Sequence, residues 1–121
     1  MTVYDAWLSM VRGDDYSFDV YVKDDKNCPL DITGTDFYFT AKRSLFDTDA
    51  EAVILKDTTG GISIVDGPGG QVRIFIDAAD TDSFVKKEVL RFDVQWEDGG
   101  GLIHTVSAGE LVVELDVSRR T

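Results

Sequence analysis

The chain is poor in the residues that most often carry chemistry, with one cysteine, one histidine and two prolines. Cys28 alone can form neither an internal disulfide nor a cysteine-cluster zinc site. His104 alone leaves few metal constellations open and confines the commonest general base to one position. Positive charge is scarce as well: 12 Lys and Arg stand against 23 Asp and Glu, a formal net charge of −11. Such a surface repels a phosphate backbone, so direct nucleic-acid binding is not expected. No apolar run approaches the ~18 residues of a membrane span, so no membrane partner is expected either. The opening Met1-Thr2-Val3-Tyr4-Asp5 lacks the basic-then-apolar order of a signal peptide, and the protein is expected to start life in a cytoplasm.

Against these absences, hydrophobic residues make up 43% of 121 positions and aromatics 11%, too much for a disordered chain. The length suits one domain of ~100–200 residues. That domain is expected to span 1–121, with residues 1–8 as an N-terminal arm.

The dominant pattern has period two, the mark of half-buried strands. Tyr16, Phe18, Val20 and Val22 alternate with Ser17, Asp19, Tyr21 and Lys23. Phe37, Phe39 and Ala41 alternate with Asp36, Tyr38, Thr40 and Lys42. Val53 to Lys56 is a short strand. Ile62 and Ile64 begin another, and Asp66-Gly67-Pro68-Gly69-Gly70 turns it into Val72, Ile74 and Ile76, a predicted hairpin. Leu90, Phe92, Val94 and Trp96 alternate with Arg91, Asp93, Gln95 and Glu97. Asp98-Gly99-Gly100-Gly101 then turns the chain into Leu102–Ser107. Gly109 marks a bulge or kink before a last alternation of Leu111, Val113, Leu115 and Val117. Asp77 is an N-cap, and 77–84 is the one short helix. Seven or eight strands with turns at roughly 8–12-residue spacing predict a β-sandwich or barrel, all β, with antiparallel sheets whose outer faces are wet.

The motifs weigh toward structure. Arg12-Gly13-Asp14 spells an integrin tripeptide, but Gly and Asp before a strand are turn chemistry. The glycines around Pro68 enter a strand rather than a helix and carry no Lys-Ser/Thr, unlike a phosphate loop. Asp47, Asp49 and Glu51 open with calcium-loop spacing, yet Ala52 and Thr58 occupy the positions that need Gly and Glu. Asp77, Asp80 and Asp82 are read the same way, as a solvated acidic cluster. His104 with Ser107 has no nucleophile elbow around it. A glycosidase needs two carboxylates, and those here fall in turns or on polar strand faces. No catalytic, cofactor-binding or metal-ligating residue is assigned, no cofactor is expected, and the chain is not expected to be an enzyme. Tyr21, Tyr38 and Phe75 fall opposite the inferred core. With Tyr4 and Trp7 near the N-terminus, they are the candidate interface residues, because aromatics anchor protein–protein contacts.

The order of elements is also familiar. Arg12-Gly13-Asp14 precedes Tyr16-Ser17-Phe18-Asp19-Val20. Pro29-Leu30-Asp31-Ile32-Thr33-Gly34 leads to Phe37-Tyr38-Phe39-Thr40-Ala41-Lys42. Gly61-Ile62-Ser63-Ile64, Asp77-Ala78-Ala79-Asp80-Thr81, Phe92-Asp93-Val94-Gln95-Trp96 and Leu115-Asp116-Val117 follow. Nearly the whole length resembles small immunoglobulin-like β-sandwich proteins from the structural modules of tailed bacteriophages. It is similar to the N-terminal domain of the baseplate upper protein family. The resemblance implies an immunoglobulin-like topology without the Cys-Trp-Cys framework of antibody domains. Leu30 and Ile32 would plug one end of the sandwich, while Asp31 and Thr33 bond the turn. It also implies a non-enzymatic virion protein of the tail, baseplate or neck, made in the host bacterial cytoplasm. Its partners would be other virion structural proteins, in a multi-copy or homo-oligomeric assembly. Two alternatives are a capsid decoration protein and a carbohydrate-binding adhesion module. The latter requires Trp7, Tyr21 or Tyr38 to share an exposed platform.

Overall fold

The alternating segments become eight strands, β1 (Tyr4–Val11), β2 (Tyr16–Tyr21), β3 (Asp36–Lys42), β4 (Ile54–Asp57), β5 (Ile62–Asp66), β6 (Gln71–Ile76), β7 (Glu88–Glu97) and β8 (Ile103–Glu114). A one-turn helix, α1 (Ala78–Thr81), lies between β6 and β7. These elements come from a computed structural model that describes residues 4–117, with side chains from Ala6 onward. One sheet has the order β1-β8-β7-β3-β4 and the other β2-β6-β5. With the strands lettered A, B, C, C′, D, E, F and G in chain order, the sheets read A-G-F-C-C′ and B-E-D. That is the immunoglobulin-like sandwich with one extra strand beside C.

The alternation predicts the core correctly because a strand sends successive side chains to opposite faces. Phe37, Phe39 and Ala41 of β3 and Leu90, Phe92, Val94 and Trp96 of β7 are buried. They stand in register as Phe37 with Trp96, Phe39 with Val94 and Ala41 with Phe92. Phe18 reaches across from β2 and meets Phe39 at 5.8 Å and Phe92 at 6.0 Å between ring centroids. Such pairs add about 1 kcal/mol each beyond the area they bury. Ile32 is fully buried and Leu30 packs against the core, so both close one end of the sandwich. Beside them the Thr33 N–H and hydroxyl donate to Asp31 Oδ1 at 3.0 and 2.6 Å.

The structure corrects the sequence reading in four places. One pairing is parallel: β1 runs alongside β8, from Tyr4 opposite Ser107 to Val11 opposite Glu114. Alternation reveals which side chains share a face, not which strand lies next door or in which direction. For the same reason residues 4–8 are not an arm but the first part of β1, while residues 1–3 lie outside the described residues. The last two predicted segments are one strand. Its bulge falls at Val106, where the register slips between Val94 and Gln95, rather than at Gly109. Gly109 answers a different need: a Cβ there would lie 1.7 Å from the Ala6 carbonyl oxygen, so only glycine lets β1 approach. Finally, β8 ends at Glu114. Leu115 and Val117 are exposed, Val117 at 104%, and do not continue the core face.

Candidate functional site

The predicted interface aromatics do not converge. Tyr21 and Phe75 are exposed on the outer face of the three-stranded sheet. The register places Phe75 opposite Ser17, Arg73 opposite Asp19, and Gln71 opposite Tyr21, so a polar row separates the two rings. In that row Arg73 grips Asp19 with two bonds of 2.7 and 3.1 Å, and Gln71 Nε2 donates at 2.9 Å. The Arg73 hydrogen bond holds the Asp19 carboxyl below the usual carboxylate range. Tyr38 and Trp7 lie on the outer face of the other sheet, on β3 and β1, with β7 and β8 between them. Tyr38 is half-buried. Burial first, then the nearby carboxylates of Glu97, Asp36 and Asp57, push its hydroxyl pKa up. Trp7 is 71% exposed on a strand edge. The Tyr4 side chain lies outside the described residues. Trp7, Tyr21 and Tyr38 therefore share no stacking platform of the sort a sugar-binding module uses.

The other motifs resolve into structure. Arg12 is buried, with Nε donating to Asp116 Oδ1 at 2.6 Å and a terminal nitrogen to the Phe84 carbonyl at 2.6 Å. The Gly13 N–H donates to Thr81 Oγ1 at 2.9 Å. The Arg-Gly-Asp tripeptide is thus a strap across the sandwich end, with its arginine hidden. Asp49 pairs with Lys42 at 2.7 Å, while Glu51 accepts from the Thr48 N–H at 2.9 Å. Asp77 and Asp80 both pair with Lys56, at 3.3 and 2.8 Å. No cluster of three or more metal-ligating side chains occurs among the described residues. His104 Nε2 lies 2.8 Å from Asp98 Oδ2, and its ring packs against Trp96 at 5.4 Å. Cys28 is exposed, in a turn whose amide bonds Asp24.

Two of the surface grooves bear on function. The first is a shallow groove of about 340 Å³ on the outer face of the five-stranded sheet, with polar residues such as Thr40, Lys42, Asp49 and Asp93 beside apolar ones such as Leu45 and Ala108. The segment after β3 forms its wall, fastened by Lys42 Nζ to the Asp47 carbonyl at 3.0 Å. Burial raises the Asp93 carboxyl pKa, Lys42 opposes that rise, and Asp49 adds to it. The second is an apolar cleft of about 330 Å³ between β1 and β2, lined chiefly by Ala6, Leu8, Phe18, Val20, Tyr21 and Ser107. On this side of the molecule both sheets end, one in β1 and the other in β2.

The four sheet edges are unequal. β4 is four residues long and carries Lys56 and Asp57. β5 is broken by a bulge at Val65. β2 carries the charged Asp19 at its middle. β1 runs for eight residues, Tyr4–Val11, with no Pro, Gly, Lys or Arg and an unbroken register. Charge, proline and bulges are how exposed edges are kept from pairing with other chains. β1 has none of these along its middle. Trp7 is an interface candidate from the sequence, but the edge is not legible there, since nothing local in Tyr4–Val11 says it is the outermost strand.

No protein-family profile matches the chain, and no curated protein matches it. Among solved structures it is similar to the N-terminal domain of phage TP901-1 ORF48, with a TM-score of 0.44 and 12% identity over 96% of this chain and 99% of that one. It is also similar to murine CRIg, with a TM-score of 0.45 and 13% identity over 91% of this chain and 92% of that one.

Proposed function

We propose that this chain is a non-enzymatic structural component of a bacteriophage particle, placed in the tail, baseplate or neck and assembled through protein–protein contacts. The order of strand and turn motifs supports the phage assignment. The observation that carries the assembly role is the side where both sheets end. There, two strand edges that pair with no other strand among the described residues flank an apolar cleft, and one of them, β1, carries no proline, bulge or charge along its middle. Edge pairing gives main-chain hydrogen bonds, and the adjoining cleft takes alternate side chains of whatever docks. The strongly acidic remainder keeps unassembled subunits soluble.

The test is mass spectrometry of particles purified from the phage that encodes this chain. The protein is expected in stoichiometric, multi-copy amounts, and its absence from intact particles would overturn the proposal. Antibody labelling of the same particles separates tail, baseplate or neck from a capsid-exterior decoration role.

A further inference from the structure

We propose that the β1 edge is completed by a second copy of this chain, through antiparallel β1–β1 pairing about a two-fold axis at Trp7. The inference rests on the assembly reading above and names its partner at that edge.

The backbone geometry leaves the edge ready to pair. The Arg12 N–H, one residue past β1, donates to the Glu114 carbonyl of β8 at 2.7 Å. Successive residues of a strand send their N–H and C=O to opposite sides. Arg12, Met10, Leu8 and Ala6 therefore bond β8, and Val11, Ser9, Trp7 and Asp5 present theirs outward. The Val11 carbonyl is taken by the Asp14 N–H at 3.1 Å, which leaves Asp5, Trp7 and Ser9 for a partner strand.

Electrostatics opposes a second copy less at this edge than elsewhere. Two molecules of charge −11 repel, so a self-interface must be locally neutral. On β8, opposite β1, Glu110 is paired with Arg91 at 2.9 Å and Glu114 with Lys87 at 3.2 Å. Arg12 and Asp116 neutralise each other below the edge. The only ionisable carboxylate or amine of β1 itself is Asp5. By contrast, the Tyr38 face is ringed by Asp36, Asp57 and Glu97.

The sequence of β1 then selects the register. Pairing about Trp7 places Trp7 opposite its own mate, Asp5 opposite Ser9, Ala6 opposite Leu8 and Tyr4 opposite Met10. Each residue meets one of the same face, so the two five-stranded sheets merge into one continuous sheet. The exposed tryptophan is covered by an aromatic cross-strand partner. A two-fold axis one residue on, at Leu8, would set Trp7 against Ser9 and lose the aromatic pair. Leu8 of the second copy would lie beside the mouth of the cleft lined by Ala6, Leu8 and Phe18.

Analytical ultracentrifugation across micromolar concentrations is the experiment, on wild type and on Trp7→Lys and Ser9→Pro. Ser9→Pro removes only an outward N–H, a position where edge strands accept proline. Wild type is expected to dimerise, and each variant to weaken the dimer at least tenfold while circular dichroism and thermal melting show the fold intact. Register is read from Trp7→Cys in a Cys28→Ser background. Directly opposed residues with Cα atoms ~5.5 Å apart fall within disulfide reach, so a covalent dimer forms on mild oxidation. A wild type that stays monomeric, or folded Ser9→Pro and Trp7→Lys variants that stay dimeric, would overturn this inference. Such an outcome leaves particle incorporation, measured separately, to stand or fall by itself.

Discussion

The Arg12 guanidinium binds Asp116, 104 residues further along the chain, at 2.6 Å, and the Phe84 carbonyl at the same distance. It thereby ties the end of β1 to the segment after β8 and to the turn after α1. Both charged groups are largely shielded from water, with side-chain exposures of 10% and 11%. Removing one partner of such a pair leaves the other charge desolvated and unpaired. Arg12→Ala is therefore expected to cost about 3 kcal/mol in urea unfolding. Arg12→Lys should recover only part, since an ammonium cannot reproduce the planar fork that serves two acceptors.

Gly109 is the point at which β1 comes closest to β8. An added methyl would collide with backbone at Ala6, and backbone cannot swing aside as a flexible side chain can. Gly109→Ala is expected to lose about 2 kcal/mol and to speed hydrogen exchange at the β1 amides of Ala6, Leu8 and Met10 more than in β6. Equal exchange in the two strands would show that β1 tolerates the methyl.

Asp93 gives a pH signature of opposite sign to Asp19, Asp31, Glu51, Asp57 and Asp98, whose carboxyl pKa values are lowered. Burial raises its folded-state pKa above the ordinary 3.8. The folded state thus holds the proton more tightly than the unfolded chain does. Its contribution to stability is complete below 3.8 and is lost as pH rises through the folded value. Asp93→Asn should flatten that fall, so the variant gains on wild type between pH 3.5 and pH 7 in thermal melts. A constant difference across that range would contradict the burial argument.

Asp19 behaves in the reverse manner. Its pKa is lowered, chiefly by the hydrogen bond from Arg73, so its contribution is present above 3.8 and lost as pH falls through the lower folded value. In Arg73→Ala, the Asp19 carboxyl carbon should titrate closer to 3.8 by NMR, and the acid limb of the stability curve should soften. Both groups face solvent on the outer sheet surface, so the effect on stability at neutral pH is expected to be small.

Much of the fold was legible in the residues. The clean alternations at Phe37–Phe39–Ala41 and Leu90–Phe92–Val94–Trp96 each placed a strand and its buried face correctly, because period two is a local property of the extended backbone. Turn chemistry was local too: Asp31 and Thr33 bond each other within three residues. The bulge was not legible. Val106 and Ser107 both point inward only because β8 slips against Val94 and Gln95, and that depends on the neighbouring strand.

The interface candidates divide along the same line. The outward face of Tyr21, Tyr38 and Phe75 followed from alternation; Tyr21 and Phe75 are exposed and Tyr38 is half-buried, while Trp7, chosen for its place near the N-terminus, is exposed. Their grouping did not follow, because Tyr21 and Phe75 sit on one sheet while Trp7 and Tyr38 sit on the other. By itself the sequence determined the all-β class, the strand faces and the turns, each set by residues within a few positions of one another. Only the tertiary structure decided that β1 runs parallel to β8 and forms an outer edge, and that Gly109 must be glycine to let it. Those facts arise from contacts between residues about a hundred positions apart, which local periodicity does not encode. The same long-range pairing makes Tyr4–Val11 the outermost strand of its sheet.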